Sequence, residues 1–97
     1  MSDLCNEIQK FGKGVGNTSR YRIVEALFNG PKTVSELVRL VKFSQPLVSQ
    51  HLKTLKESGI VQDMRQGQEV LYSLNTRYVL ELLKNLSKEI GKNKKAK

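Results

Sequence analysis

A chain of 97 residues is long enough for one thin-cored domain and too short for two. With 38% hydrophobic and 27% charged residues it is composed like a folded protein, and no apolar run approaches the roughly 18 residues that a membrane-spanning helix needs. Lys and Arg number 17 against 9 Asp and Glu, a formal net charge of +8 that favours polyanionic partners, and a single cysteine excludes an intrachain disulfide.

In chain order, apolar residues recur at helical spacing over most of the length. Leu4, Ile8, Phe11 and Val15 form a narrow stripe, but Gly12, Gly14 and Gly16 weaken its last turn, so the first helix is expected to end near Phe11. Asn17-Thr18-Ser19 offers N-caps for a second helix that buries Ile23, Val24, Leu27 and Phe28, and Asn29-Gly30-Pro31 stops it. Thr33-Val34-Ser35-Glu36 has the form of a capping box, opening a short third helix that turns Val34, Leu37, Val38 and Val41 inward. Lys42-Phe43-Ser44 is the turn out of it. Ser44 caps a fourth helix, in whose first turn Pro46 is tolerated because no intrahelical N–H bond is lost there. That helix runs through Val48, Leu52 and Leu55 to Gly59, a suitable residue just beyond a helix end.

The spacing then changes from helical to alternating. Residues 60–66 and 69–74 are expected as two strands, with Val70, Tyr72 and Leu74 on one face and Gly67-Gln68 as a tight turn between them. Asn75 caps a last helix whose Val79, Leu82, Leu83, Leu86 and Ile90 occupy a stripe about 100° wide. The order is α-α-α-α-β-β-α, a mainly α (α+β) chain. Two helices joined by a short turn and followed by a hairpin make a winged helix-turn-helix. The domain is expected over 1–91, with 92–97 a basic disordered tail. Lys92, Lys94, Lys95 and Lys97 lie in that tail, and the remainder is still basic without them.

On the fourth helix Val48, Leu52 and Leu55 point one way, while Pro46, Ser49, Gln50 and Lys53 point the other. A helix with a small, polar outer face at its N-terminal end fits the DNA major groove, about 12 Å wide. There Gln pairs with adenine, Ser with several base edges, and Lys with guanine or phosphate. Gln45 lies off that face but reaches forward from the helix tip, and Ser44 stands beside it. In the hairpin, Arg65-Gln66-Gly67-Gln68 places a cation and two amides around a projecting turn, the chemistry of a wing at the minor groove. Arg20, Lys32 and Lys42 sit at helix starts or turns, where phosphate contacts set position without reading sequence.

The run Ser44-Gln45-Pro46-Leu47-Val48-Ser49-Gln50-His51-Leu52-Lys53-Thr54-Leu55 resembles the recognition helix of the ArsR/SmtB family of bacterial and archaeal repressors. Asn17-Thr18-Ser19-Arg20-Tyr21-Arg22-Ile23 resembles the start of the family's second helix. Gly59-Ile60-Val61 and 66–74 resemble its wing, so that the likeness covers roughly residues 4–90. It implies a homodimeric, sequence-specific reader of double-stranded DNA, most often a repressor, that binds an imperfect palindrome. It also implies pairing of the first and last helices across a two-fold axis. The stripes Leu4/Ile8/Phe11 and Val79/Leu83/Leu86/Ile90 supply a physical reason, since they carry more apolar surface than one thin domain covers. His51 resembles the family's usual His at its position, on the flank of the inward stripe, with a packed or phosphate-contacting role.

The sensing half of the family pattern is missing. Thiolate sensors carry paired cysteines in the third helix, where this chain has Ser35-Glu36-Leu37-Val38-Arg39-Leu40. Zinc-type sensors carry Asp and His early in the last helix, where it has Asn75-Thr76-Arg77-Tyr78, with only Glu89 further on. One Cys and one His on different elements do not make up the about four ligands a transition metal needs, so no metal site and no cofactor are expected. A redox response through Cys5, at the edge of the first stripe, and an RNA-binding winged helix are the alternatives; the second lacks base-stacking aromatics on the groove face. No nucleophile–base pair or phosphate loop points to an enzyme. Met1-Ser2-Asp3-Leu4-Cys5 lacks the basic-then-apolar order of a secretion signal, and a cytoplasmic setting is expected.

Overall fold

The computed structural model describes residues 2–96, and the side chains of residues 4–92. α1 (Ser2–Val15), α2 (Thr18–Ala26), α3 (Val34–Val41) and α4 (Gln45–Glu57) are followed by β1 (Val61–Gln66), β2 (Glu69–Leu74) and α5 (Thr76–Ala96). This is the expected order of helices and strands.

The N-caps form where the side chains allow them. Asn17 Oδ1 accepts from Arg20 N at 3.0 Å at the start of α2. At α3 the capping box closes in both directions: Glu36 N donates to Thr33 Oγ1 at 3.2 Å, and Thr33 N donates to Glu36 Oε1 at 2.8 Å. The Thr33 N–H holds the Glu36 carboxyl below its ordinary value. Lys42 closes α3 at φ 61°, the one non-glycine residue in the left-handed region among the described residues. Ser44 Oγ then accepts from Leu47 N at 3.3 Å to start α4.

The hairpin is antiparallel, in register from Val61↔Leu74 to Gln66↔Glu69. Gly67, at φ 63°, is the first residue of its two-residue turn, where the twist of a hairpin calls for a left-handed backbone. Lys32 and Tyr72 exchange backbone hydrogen bonds of 2.9 and 2.8 Å, which fastens the α2–α3 connection to the edge of β2.

Ile23, Leu37, Val48, Leu52, Leu55, Ile60 and Val61 are the largest fully buried side chains. They join the inward faces of α2, α3 and α4 to the base of the wing. Val34, Val38, Tyr72 and Leu74 pack around that centre. Phe28 departs from expectation. It stands just beyond the end of α2 and is 59% exposed, because the helix stops at Ala26 and the following turn swings the ring outward.

The first helix is also longer than expected. It continues past Phe11 through Gly12 and Gly14 to Val15, for two reasons visible in the packing. A Cβ on Gly14 would lie 2.5 Å from Ile60 Cδ1, so the glycine allows the helix to press against the start of the wing. The Arg20 guanidinium then caps the helix end, Nε donating to Gly14 O at 2.8 Å and Nη2 to Lys13 O at 2.7 Å.

α5 starts on Asn75, whose Oδ1 accepts from Tyr78 N at 3.2 Å. The Tyr78 hydroxyl donates to Glu7 of α1, and burial, followed by that hydrogen bond, pushes its pKa up to about 12. Of the tail expected over 92–97, the backbone is helical as far as Ala96, in continuity with α5. The side chains beyond Lys92 lie outside the described residues.

The two helical glycines of α1 give opposite expectations. Nothing lies within 4 Å of a Cβ on Gly12, so Gly12→Ala should raise stability by about 0.5–1 kcal/mol through helix propensity. Gly14→Ala should lower it by about 1–2 kcal/mol, because overpacking against Ile60 outweighs the same propensity gain. Urea unfolding of the two variants checks both signs; a stabilised Gly14→Ala protein would show that the contact with Ile60 relaxes freely.

Candidate nucleic-acid interface

α4 presents a continuous exposed face. Val48, Leu52 and Leu55 are buried against the core, while Ser44, Gln45, Pro46, Ser49, Gln50 and Lys53 are all exposed. The first turn carries no acidic residue, so the positive end of the helix dipole faces outward without opposition. Arg65, Gln66, Gly67 and Gln68 are exposed around the wing turn. Arg65 pairs across the hairpin with Val70, and Glu69 stands opposite Gln66, adding one negative charge beside the tip.

Of the four groups expected at phosphates, Lys42 is exposed at the α3–α4 turn and free to make such a contact. The other three are engaged in the fold. Arg20 spends two of its donors on the carbonyl ends of α1. Lys32 is half-buried, and its Nζ lies 3.3 Å from Gly30 O. His51 corrects the expectation most clearly. It is 8% exposed and both ring nitrogens are buried without a hydrogen-bond partner, so its side chain does not reach a phosphate. The helical spacing had placed it on the flank of the inward stripe, and the packing of α4 takes its ring inside.

Three features of this face do not follow from the helical wheel. The Arg22 guanidinium sits 5.4 Å from the centre of the Phe43 ring, a cation–π contact that holds an exposed cation beside the start of α4. The Lys56 ammonium is occupied by Asp63 of β1 at 2.8 Å, a pairing that raises its pKa and removes it from the free cations. Leu47 is 38% exposed in the first turn of α4. Arg22 was detectable only as a basic residue near an aromatic turn, a signal with no fixed spacing.

A second surface lies between α1, α2 and α5. Phe11 and Val79, both expected to meet a partner, pack against this chain's own core, while Leu4, Ile8 and Leu86 are half-buried. Leu83 and Ile90 are 45% and 58% exposed, and Leu80, absent from the expected stripe, is 65% exposed on the same side of α5. A wholly apolar hollow of about 280 Å³ opens nearby, its rim formed by Tyr21, Phe28 and Leu80. The exposed aromatics thus belong to this surface and not to the face of α4. Cys5 is exposed on α1. Among the described residues, no group of three His, Cys, Asp or Glu side chains converges as a metal site would require, and no helix is long and apolar enough to cross a membrane.

Comparison with known proteins agrees with this geometry. A family model described as bacterial regulatory protein, arsR family, matches residues 17–63, from the cap of α2 into β1. The biofilm growth-associated repressor of Xylella fastidiosa is 31% identical over 86 residues, covering 89% of this chain and 75% of that protein. The HTH-type transcriptional repressor SmtB of Mycobacterium tuberculosis is 44% identical over 64 residues, covering 66% of this chain and 47% of that protein. The chain therefore spans between about half and three quarters of the length of these relatives. In structure, the homodimeric winged helix-turn-helix DNA-binding domain of a possible ArsR-family regulator from Mycobacterium bovis superimposes with a TM-score of 0.76. Its identity is 21%, over 99% of this chain and 89% of that one.

The buried histidine sets a pH dependence. Burial pushes the His51 imidazole below its ordinary value, and the Arg20 charge pushes it the same way. The fold thus disfavours the protonated form, so stability is complete above the unfolded-state pKa of about 6.5 and declines as pH falls below it. Urea unfolding between pH 7.5 and 5 should show this loss, with a slope no steeper than one titrating group allows. His51→Leu should flatten it; equal slopes for the two proteins would assign the loss to other groups.

Proposed function

The chain belongs to the arsR family of bacterial regulatory proteins, and on that premise we propose that it is a homodimeric transcriptional repressor reading an imperfect palindrome in double-stranded DNA. The observation that carries the reading is the exposed polar face of α4, anchored by Val48, Leu52 and Leu55 and capped at Ser44. Gln45, Ser49, Gln50 and Lys53 supply the base-edge contacts, with Ser44 and Pro46 at the helix tip. Lys42 and Arg22 meet the backbone near the α4 start. Arg65, Gln66, Gly67 and Gln68 form the wing contact, in which Arg65 provides charge rather than sequence readout.

Dimerisation is supported by the exposed Leu80, Leu83 and Ile90 of α5 together with the half-buried Leu4, Ile8 and Leu86. A stripe of this kind on one long helix is costly in water and natural between two copies. The Mycobacterium bovis domain of the same fold is itself homodimeric. A two-fold dimer sets its recognition helices about 34 Å apart, one turn of DNA, and so favours two-fold-related half-sites. The regulator acts without a metal held by the family's sensing positions, which here carry Ser35-Glu36-Leu37-Val38-Arg39-Leu40 and Asn75-Thr76-Arg77-Tyr78.

Selection from random duplexes at moderate salt should enrich a two-fold-related motif, with affinity falling steeply as salt rises. Failure to enrich any such motif would sink the reading. Gln45→Ala or Ser49→Ala should relax preference at particular bases by roughly 1–3 kcal/mol per contact, whereas Arg65→Ala should weaken binding evenly across sequences. A shifted motif for Arg65→Ala would mean that the wing reads bases. Leu83→Lys should give a monomer by sedimentation and lose high-affinity binding to the two-half-site duplex; a stable dimer would move the interface away from α5.

A further inference from the structure

One side chain on the tip of α4 remains without a role in this reading. Leu47 is 38% exposed, is not among the residues packed around the core, and stands amid exposed Ser44, Gln45, Pro46 and Ser49. Its position is fixed. Its N–H donates to Ser44 Oγ at 3.3 Å, and its neighbour Val48 is fully buried, so the first turn is held from both sides. With about 100° between successive helix residues, Leu47 and Ser49 stand on either side of the outward direction opposite Val48, and Pro46 and Gln50 fill the strip between them.

An exposed leucine is ordinary on a protein surface. This one lies on the turn of the helix that enters the groove, among side chains that are otherwise small or polar. Among base edges in the major groove, the apolar feature is the C5-methyl group of thymine, and an aliphatic side chain pressed against it shields both from water.

We propose that Leu47 is a specificity-determining residue that reads one thymine in each half-site by contact with its 5-methyl group. The inference rests on the duplex-DNA reading above and deepens it, adding an apolar contact to the hydrogen bonds of Gln45 and Ser49. It assigns the two flanks of the helix tip different chemistry: Ser49 selects by polar contact, Leu47 by methyl contact.

Replacement of thymine by deoxyuridine removes the methyl group and leaves base pairing intact, which isolates the contact. Duplexes carrying the selected motif, with each thymine replaced singly, are titrated with the wild-type protein and with Leu47→Ala, whose fold is checked by circular dichroism. In each half-site one replacement should weaken wild-type binding about fourfold, and the paired replacement about fifteenfold, the worth of shielding one methyl per half-site. Leu47→Ala should bind the thymine and deoxyuridine duplexes equally. Indifference of the wild-type protein to every replacement would overturn the inference even if the variant failed to fold. Equal sensitivity of the wild type and Leu47→Ala would overturn it too. Both outcomes would leave DNA binding itself standing, whereas failure to select any motif would remove the reading beneath it as well.

Discussion

The fold depends on how Ile60 is held. Its side chain is buried at the point where Gly14 allows α1 to approach. Its N–H donates to Leu55 O at 3.1 Å, closing α4, and its carbonyl accepts from Asn75 N at 2.8 Å, opening α5. One residue thus joins the end of α4, the base of the wing and the start of α5. Arg20 secures the fourth partner by capping the carbonyls of Lys13 and Gly14. In a chain of this length, with a single small core, such shared joints replace the redundancy that a larger interior provides.

That joint gives the exposed face of α4 the stiffness that the proposed base reading needs. The helix is buried along Val48, Leu52 and Leu55, capped at Ser44, and closed at its far end on Ile60. Its outward side chains therefore present from a fixed rod. The cations around it divide into two groups. Arg20, Lys32 and Lys56 have carbonyl or carboxylate partners inside the protein, and Arg22, Lys42, Lys53 and Arg65 are exposed. Net charge gives the general attraction to a polyanion, and this division decides where on the surface it acts.

Most of the fold was legible in the sequence because its signals are local. The Thr33/Glu36 box, the Ser44 cap and the Gly67 turn each depend on residues within a few positions of one another, and each forms as the spacing indicates. β2 also forms, but its burial does not alternate, and of Val70, Tyr72 and Leu74 only the last two pack against the core. What escaped was set at a distance. The end of α1 is decided by Ile60 and Arg20, which are remote from the glycines that weaken the helix locally. His51 was placed on a flank by its angle, but how deep a flank lies depends on which helices cover it. The exposure of Phe28 and Leu80 likewise depends on where α2 stops and how α5 is rotated. Within the candidate site, the α4 face was visible from periodicity. The loss of Arg20 and Lys32 to internal hydrogen bonds, and the gain of Arg22 over Phe43, required the folded geometry.

The ion pair between Lys56 and Asp63 links the last turn of α4 to the third residue of β1, and both side chains are open to solvent, at 54% and 31%. Pairs this exposed contribute little to stability and weaken as ions accumulate. Ionic strength therefore acts on this protein twice: it screens the attraction between the free cations and a polyanion, and it weakens the ion pair that ties the end of α4 to β1. In the proposed complex with DNA, the fall of affinity with salt would then carry a small contribution from this pair beside that of the phosphate contacts.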